Sequence, residues 1–236
     1  MRLLLTRTNL VLGIVVVIAT VLISSSVLLT TSRTTFTLPA AFAQDSPTCN
    51  GWPATIIGTP GDDFLNGTAG NDIIAGLGGN DRIQAFDGFD YICGDDGNDG
   101  MAGGEGDDQM LGGEGDDFMD GEAGNDIVQG DNGKDYVNGF LGNDVVNGGE
   151  GDDYANGSEG DDQMLGGDGN DFVDPGTGND FANGEIGDDG LYGFDQVVNN
   201  DNLDGGPGND ACGSDPDPTI NCEINEHQQT TAEPGA

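Results

Sequence analysis

Residues 103–120 read GGEGDDQMLGGEGDDFMD, two successive copies of the pattern G-G-x-G-x-D-x-U-x in which U is apolar. The fourth-position glycine recurs every nine residues in both directions. The series runs Gly61, Gly70, Gly79, Gly88, Gly97, Gly106, Gly115, Gly124, Gly133, Gly142, Gly151, Gly160, Gly169, Gly178, Gly187. An Asp follows each of these glycines by two residues. Two residues further on the side chain is apolar, from Leu65, Ile74 and Ile83 to Val173, Ala182 and Leu191. A nine-residue period sustained over fifteen copies is the signature of a solenoid. The x-U-x segment makes a short strand, with U inward and its neighbours outward. The six Gly-rich residues turn the chain, because Gly suits positive φ and crowded backbones. Two repeats make one coil, and residues eighteen apart stack at about 4.8 Å. The expected fold is all-β: a parallel β-roll, or β-solenoid, with two repeats per coil.

The chain of 236 residues carries 44 acidic and only 5 basic residues, a formal net charge of -39. Such a chain is repelled by nucleic acid and by anionic membrane surfaces, so neither is an expected partner. One histidine, His227, in a polar tail, leaves imidazole chemistry almost nothing to work with. Apolar content outside the N-terminus is thin for an ordinary enzyme core.

The coil places the aspartates on two edges. One carries Asp63, Asp81, Asp99, Asp117, Asp135, Asp153, Asp171 and Asp189; the other carries Asp72, Asp90, Asp108, Asp126, Asp144, Asp162 and Asp180. Two carboxylates about 5 Å apart repel by about 1 kcal/mol in water and about 3 kcal/mol at an effective dielectric of 20. Such ladders need cations to close. Carboxylate and carbonyl oxygens, without thiolate or imidazole, select Ca²⁺ over transition metals, and Mg²⁺ prefers to keep its waters. Without cations an acidic, weakly hydrophobic chain is expected to stay disordered.

These residues resemble the hemolysin-type, or RTX, calcium-binding repeat proteins over about residues 49–222. The flanks agree: the stretch from Cys49 to Thr59, Ile92-Cys93-Gly94 in the fourth repeat, and Gly205-Gly206-Pro207-Gly208-Asn209-Asp210-Ala211-Cys212 near the end. The resemblance implies a β-roll that orders on Ca²⁺ binding. It also implies ions between successive turns, held by loop carbonyls and the sixth-position carboxylates. By position the metal ligands are the fifteen aspartates of the two edges. Seven gaps on one edge and six on the other set a ceiling of about 13 Ca²⁺ ions. Some positions depart from the pattern. Ala85 and Pro175 replace a first-position Gly, and Phe89 and Lys134 fill a usually polar slot. Beyond Asp189 the register slips by three residues, as if Gln196-Val197-Val198 were inserted, so a bulge is expected there. Asp201 and Asp210 are secondary ligand candidates.

At the N-terminus, Arg2 and Arg7 precede an apolar run from Leu10 to Ile23, and Ala41-Phe42-Ala43 matches a signal-peptidase site. Residues 1–43 are therefore expected to be a signal peptide, with an uncleaved membrane anchor as the rival. Either places the remainder outside the cytoplasm, secreted or at the cell surface. The expected organisation continues with an N-terminal cap (44–60), the roll (61–195), degenerate and terminal repeats (196–222) and a disordered tail (223–236). In an exported chain four cysteines point to disulfides. Pairing of Cys49 with Cys93 and of Cys212 with Cys222 is expected to staple both ends, with free thiols as the alternative.

Phe118, Tyr136, Tyr154 and Phe172 lie eighteen apart and should form an outward aromatic ladder. It either stabilises neighbouring coils or docks a partner chain or polysaccharide. The block EGDDQMLGG occurs at 105–113 and again at 159–167, three coils later, which suits growth by whole turns. The reading is a non-catalytic, exported, calcium-binding scaffold. The alternative is a cell-surface adhesin or matrix protein acting through the ladder. An enzyme is a poor third, since no stretch outside the repeats suits a catalytic domain.

Overall fold

The computed structural model describes residues 46–193, 201–214 and 218–222. The expected export segment (1–43), the insertion at 196–198 and the tail from 223 lie outside the described residues. Consecutive strands alternate between two parallel sheets, and each strand pairs with those one coil before and after it. One sheet has nine strands, from Phe64–Asn66 to Ala211–Ser214; the other has ten, from Ile56–Ile57 to Thr219–Ile220. Tyr136 pairs with Phe118 on one side and Tyr154 on the other, the eighteen-residue register in its simplest form. No helix occurs among the described residues, hence none long and apolar enough to cross a membrane.

The strands are longer than the three residues expected. Gln109–Glu114 and Phe118–Ala123 are typical at 6 residues each, which confines the turn between them to Gly115, Asp116 and Asp117. The first three positions of each nonapeptide are Gly-rich, yet their amides and carbonyls still pair with the neighbouring coil: Asp131 pairs with Gly113, and Asn132 with Glu114. Leaving these backbone groups unpaired would be costly, so the ladder extends to the corner. Pro175 shortens its strand to Phe172–Asp174, because proline has no N–H to donate.

The second position of the repeat takes a left-handed backbone. Leu77, Phe86, Asp95, Glu122, Asp131, Phe140, Ser158 and Glu185 all occupy it with φ between 68 and 81°. Glycine fills the same slot in other coils, as at Gly113 (φ 117°). The fourth-position glycine is required for a different reason. At Gly142 a Cβ would collide with the Gly124 carbonyl oxygen of the preceding coil.

The core is a single file. Ile74, Ile83, Ile92, Met101, Met110, Met119, Val128, Val137, Val146, Met164, Val173 and Leu191 are buried between the sheets. The methionines pack there as core side chains. At the N-terminal end the short antiparallel pair Thr48–Cys49 and Trp52–Pro53 is joined to the second coil by the Cys49–Cys93 disulfide. Cys212–Cys222 closes the other end. Both pairings are those expected.

Candidate metal centre

Each sixth-position Asp is the last residue of its turn, so its carboxylate lies at the edge of the coil. From Asp81 to Asp189 all thirteen are buried, with exposures of 0–4 %. One carboxylate oxygen of each is engaged by the coil before it. The Asp63 amide donates to Asp81 Oδ1 at 2.8 Å, the Asp72 amide to Asp90 Oδ1 at 2.7 Å, and the Asp162 amide to Asp180 Oδ1 at 2.8 Å. The pattern repeats along both edges. A second ladder runs the opposite way from the residue before each Asp: the Asn98 amide donates to Asn80 Oδ1, and the Asp116 amide to Asn98 Oδ1. Phe89 and Lys134 interrupt it, since neither side chain can accept a hydrogen bond.

The other oxygen is left over. Oδ2 of Asp81, Asp90, Asp99, Asp108, Asp117, Asp126, Asp135, Asp144, Asp153, Asp162, Asp171, Asp180 and Asp189 is buried without a hydrogen-bond partner. An orphaned buried carboxylate oxygen is costly unless a cation meets it. Backbone carbonyls converge on the same places. A Cβ added at Gly166 would lie 2.6 Å from Asp171 Oδ2 and 2.6 Å from the Gly184 carbonyl oxygen of the next coil. At Gly103 the corresponding oxygens are Asp108 Oδ2 at 2.6 Å and the Gly121 carbonyl at 2.8 Å. The first-position glycine thus keeps open a cradle lined by oxygen, and a side chain there would fill it. Ala85 and Pro175 are the exceptions: each fills the first position of its repeat, ahead of Asp90 and Asp180, and both are buried.

The electrostatics point the same way. Burial, aided by neighbouring carboxylates, pushes Asp108, Asp117, Asp171 and Asp180 up to about 7 and Asp126 to about 8. Asp99, Asp135, Asp162 and Asp189 rise to about 6. Ladder hydrogen bonds from the preceding coil oppose the rise without cancelling it. The fold therefore holds these groups where a full negative charge is unfavourable by itself.

Asp63 and Asp72 differ from the other thirteen. The Thr59 amide and hydroxyl both donate to Asp63 Oδ2, at 2.5 and 2.8 Å. The Thr68 amide and hydroxyl do the same for Asp72 Oδ2, at 2.6 and 3.0 Å. The first rung on each edge is thus satisfied by protein. At the far end the ladder continues through the three-residue insertion. The Asp180 amide donates to Asp201 Oδ1 and the Asp189 amide to Asp210 Oδ1, both at 3.0 Å, and both carboxylates are buried.

No group of three or more His, Cys, Asp or Glu side chains suited to a metal occurs among the described residues. The coil explains this, because it supplies one buried carboxylate per edge per turn and leaves the remaining donors to the backbone. Such an all-oxygen, carbonyl-rich donor set fits Ca²⁺, which takes 6–8 oxygens in flexible geometry.

No curated protein matches the chain. The family model described as the RTX calcium-binding nonapeptide repeat matches it at residues 55–83, 66–101, 76–110, 102–137, 138–173 and 199–212, together more than half of the sequence. With its eighteen-residue coils and its edges of buried aspartate, the chain belongs to the RTX calcium-binding nonapeptide-repeat family.

Proposed function

We propose that this protein is an exported, non-catalytic scaffold whose β-roll orders when Ca²⁺ enters the gaps between coils. The observation that carries the reading is the row of thirteen buried, unpartnered Oδ2 atoms. They face carbonyls of the next coil, as Asp81 Oδ2 faces Gly94 and Asp189 Oδ2 faces Gly205, so the thirteen supply gaps from Asp81 to Asp210 on one edge and from Asp90 to Asp201 on the other, a number of the order of the expected 13 ions. Asp81 to Asp189 supply the carboxylate of each site and the first-position glycines leave room for it. At the first gap on each edge the backbone amides of Asp63 and Asp72 hold the Asp81 and Asp90 carboxylates, while their own Oδ2 atoms are held by Thr59 and Thr68. Asp201 and Asp210 extend the edges by one rung each. Two disulfides support an extracellular location, since such bonds persist in oxidising compartments.

The test is a Ca²⁺ titration of the purified chain followed by far-ultraviolet circular dichroism, with Mg²⁺ as control. A cooperative change from coil to β with Ca²⁺ alone is the expected result. A chain that stays disordered at saturating Ca²⁺, or is already folded at neutral pH without it, overturns the reading.

A further inference from the structure

We propose that the nine-stranded sheet carries a binding subsite for a neutral glycan unit at Gly100, in a missing rung of its aromatic ladder. The ladder has five rings, one more than expected. Phe118, Tyr136, Tyr154 and Phe172 stack at centroid distances of 4.8–4.9 Å and within 8° of parallel. Tyr192 then reaches back over the bare Gly190 to stack on Phe172 at 4.9 Å. Rings stacked in this way cover one another's faces, so the inner members offer a ligand only their edges.

Phe118 is the exception. In the register of the sheet its neighbour on the open side is Gly100, and the next is Arg82. Gly100 and Ala102 leave the sheet bare between the side chains of Arg82 and Gln84 on one flank and those of Phe118 and Asp120 on the other. The result is an open groove of about 730 Å³, within the roughly 300–1,000 Å³ of small-molecule sites. One wall offers the free face of Phe118, which is 49 % exposed. Around it stand the guanidinium of Arg82, the amides of Gln84 and Asn66, and the carboxylate of Asp120, whose Oδ1 already accepts from Asn138.

A flat C–H-rich face against the ring, with hydroxyls directed to amide, guanidinium and carboxylate, is the chemistry of a sugar ring. An aromatic side chain would use the wall but leave the polar rim without partners. The net charge of -39 excludes anionic glycans, since one guanidinium does not reverse the surrounding field. The site requires an ordered roll and so rests on the calcium reading. Circular dichroism of the same samples separates a failure of folding from a failure of binding.

The test is affinity electrophoresis of the Ca²⁺-loaded chain through gels containing a soluble β-glucan, a galactomannan or dextran, with alginate as the anionic control. Retardation by at least one neutral glycan and none by alginate is expected. Gly100→Tyr should abolish it and raise Tm, because a sixth ring closes the groove. The substitution has room, the nearest atom to a Cβ there being the Asp81 carbonyl oxygen at 3.9 Å. Arg82→Gln combined with Asp120→Asn, which leaves the groove open, should weaken binding at least tenfold. Absence of retardation in all neutral gels, equal retardation by alginate, or undiminished binding by folded Gly100→Tyr overturns the proposal. So does saturation of the groove by N-acetyltryptophanamide without any glycan binding.

Discussion

The amide of Asp117 donates to Oδ1 of Asp135, eighteen residues later, at 2.8 Å, while Oδ2 of that same carboxylate is buried with no partner. One oxygen builds the stack, and the other is the one proposed to meet Ca²⁺. Asp135→Asn separates the two roles, because an amide keeps the acceptor and loses the anionic ligand. The variant should still form a roll, bind fewer Ca²⁺ ions and need severalfold more Ca²⁺ to fold. Equilibrium dialysis with a circular dichroism titration checks this.

The pH dependence follows from the raised aspartate values. Folded groups near 6–8 against an unfolded value of 3.8 mean that the native chain binds more protons between those limits. The stability they contribute to the ion-free roll is fully present below about pH 4 and lost as pH rises through 8. The chain without Ca²⁺ should therefore gain β structure on acidification, and the Ca²⁺ requirement should fade with it. Circular dichroism from pH 8 to pH 4 in chelator checks the direction; a roll that melts on acidification would contradict it.

Phe140 sits at φ 81° and is 46 % exposed, so its side chain contributes little to offset a left-handed backbone. That conformation costs a non-glycine residue roughly 1–2 kcal/mol, whereas glycine loses about 0.5–1 kcal/mol in chain entropy. Phe140→Gly should be neutral to stabilising by up to about 1 kcal/mol, a rare sign for truncating an aromatic residue. Denaturant unfolding at fixed Ca²⁺ measures it.

Tyr154 stacks on two neighbours. Each aromatic pair is worth about 0.5–1.5 kcal/mol beyond burial, so Tyr154→Ala should lower stability by about 1–3 kcal/mol. Glycan retardation should persist, since the free ring face belongs to Phe118. Loss of binding in folded Tyr154→Ala would return the inner ladder to the role of a docking stripe.

The Cys49–Cys93 bridge closes a separation of 44 residues, for which chain entropy gives about 4 kcal/mol. Replacing both cysteines by serine should expose the amides of residues 46–60 to hydrogen exchange and leave the middle coils protected.

Much of this was written in the repeat. The glycine spacing gives the coil, the aspartate spacing gives both edges, and the outward slot before U gives four of the five rings. What escaped depends on side-chain direction within a coil. Nothing in the repeat marks Thr59 and Thr68; only the return of an Asp carboxylate toward the second position of its own repeat makes them caps. Tyr192 occupies the slot after U, and it joins the stack because Gly190 leaves space for it to lean across. Leu77 and Phe140 hide the left-handed second position, where a glycine would have announced it. Strand length escapes the pattern because glycine signals a turn, whereas here it also runs in the ladder.

Stacked coils held to their neighbours make a distinctive mechanical element. Tension between the ends loads one coil at a time, and each coil that yields adds roughly 55 Å of chain from its eighteen residues. The Cys49–Cys93 crosslink bars the first coils from peeling off one after another, so force entering from that side passes directly to the third coil and beyond. If the proposed Ca²⁺ ions bind between the coils, such a chain would act as a stepwise extensible tether whose yield force rises with the calcium around it.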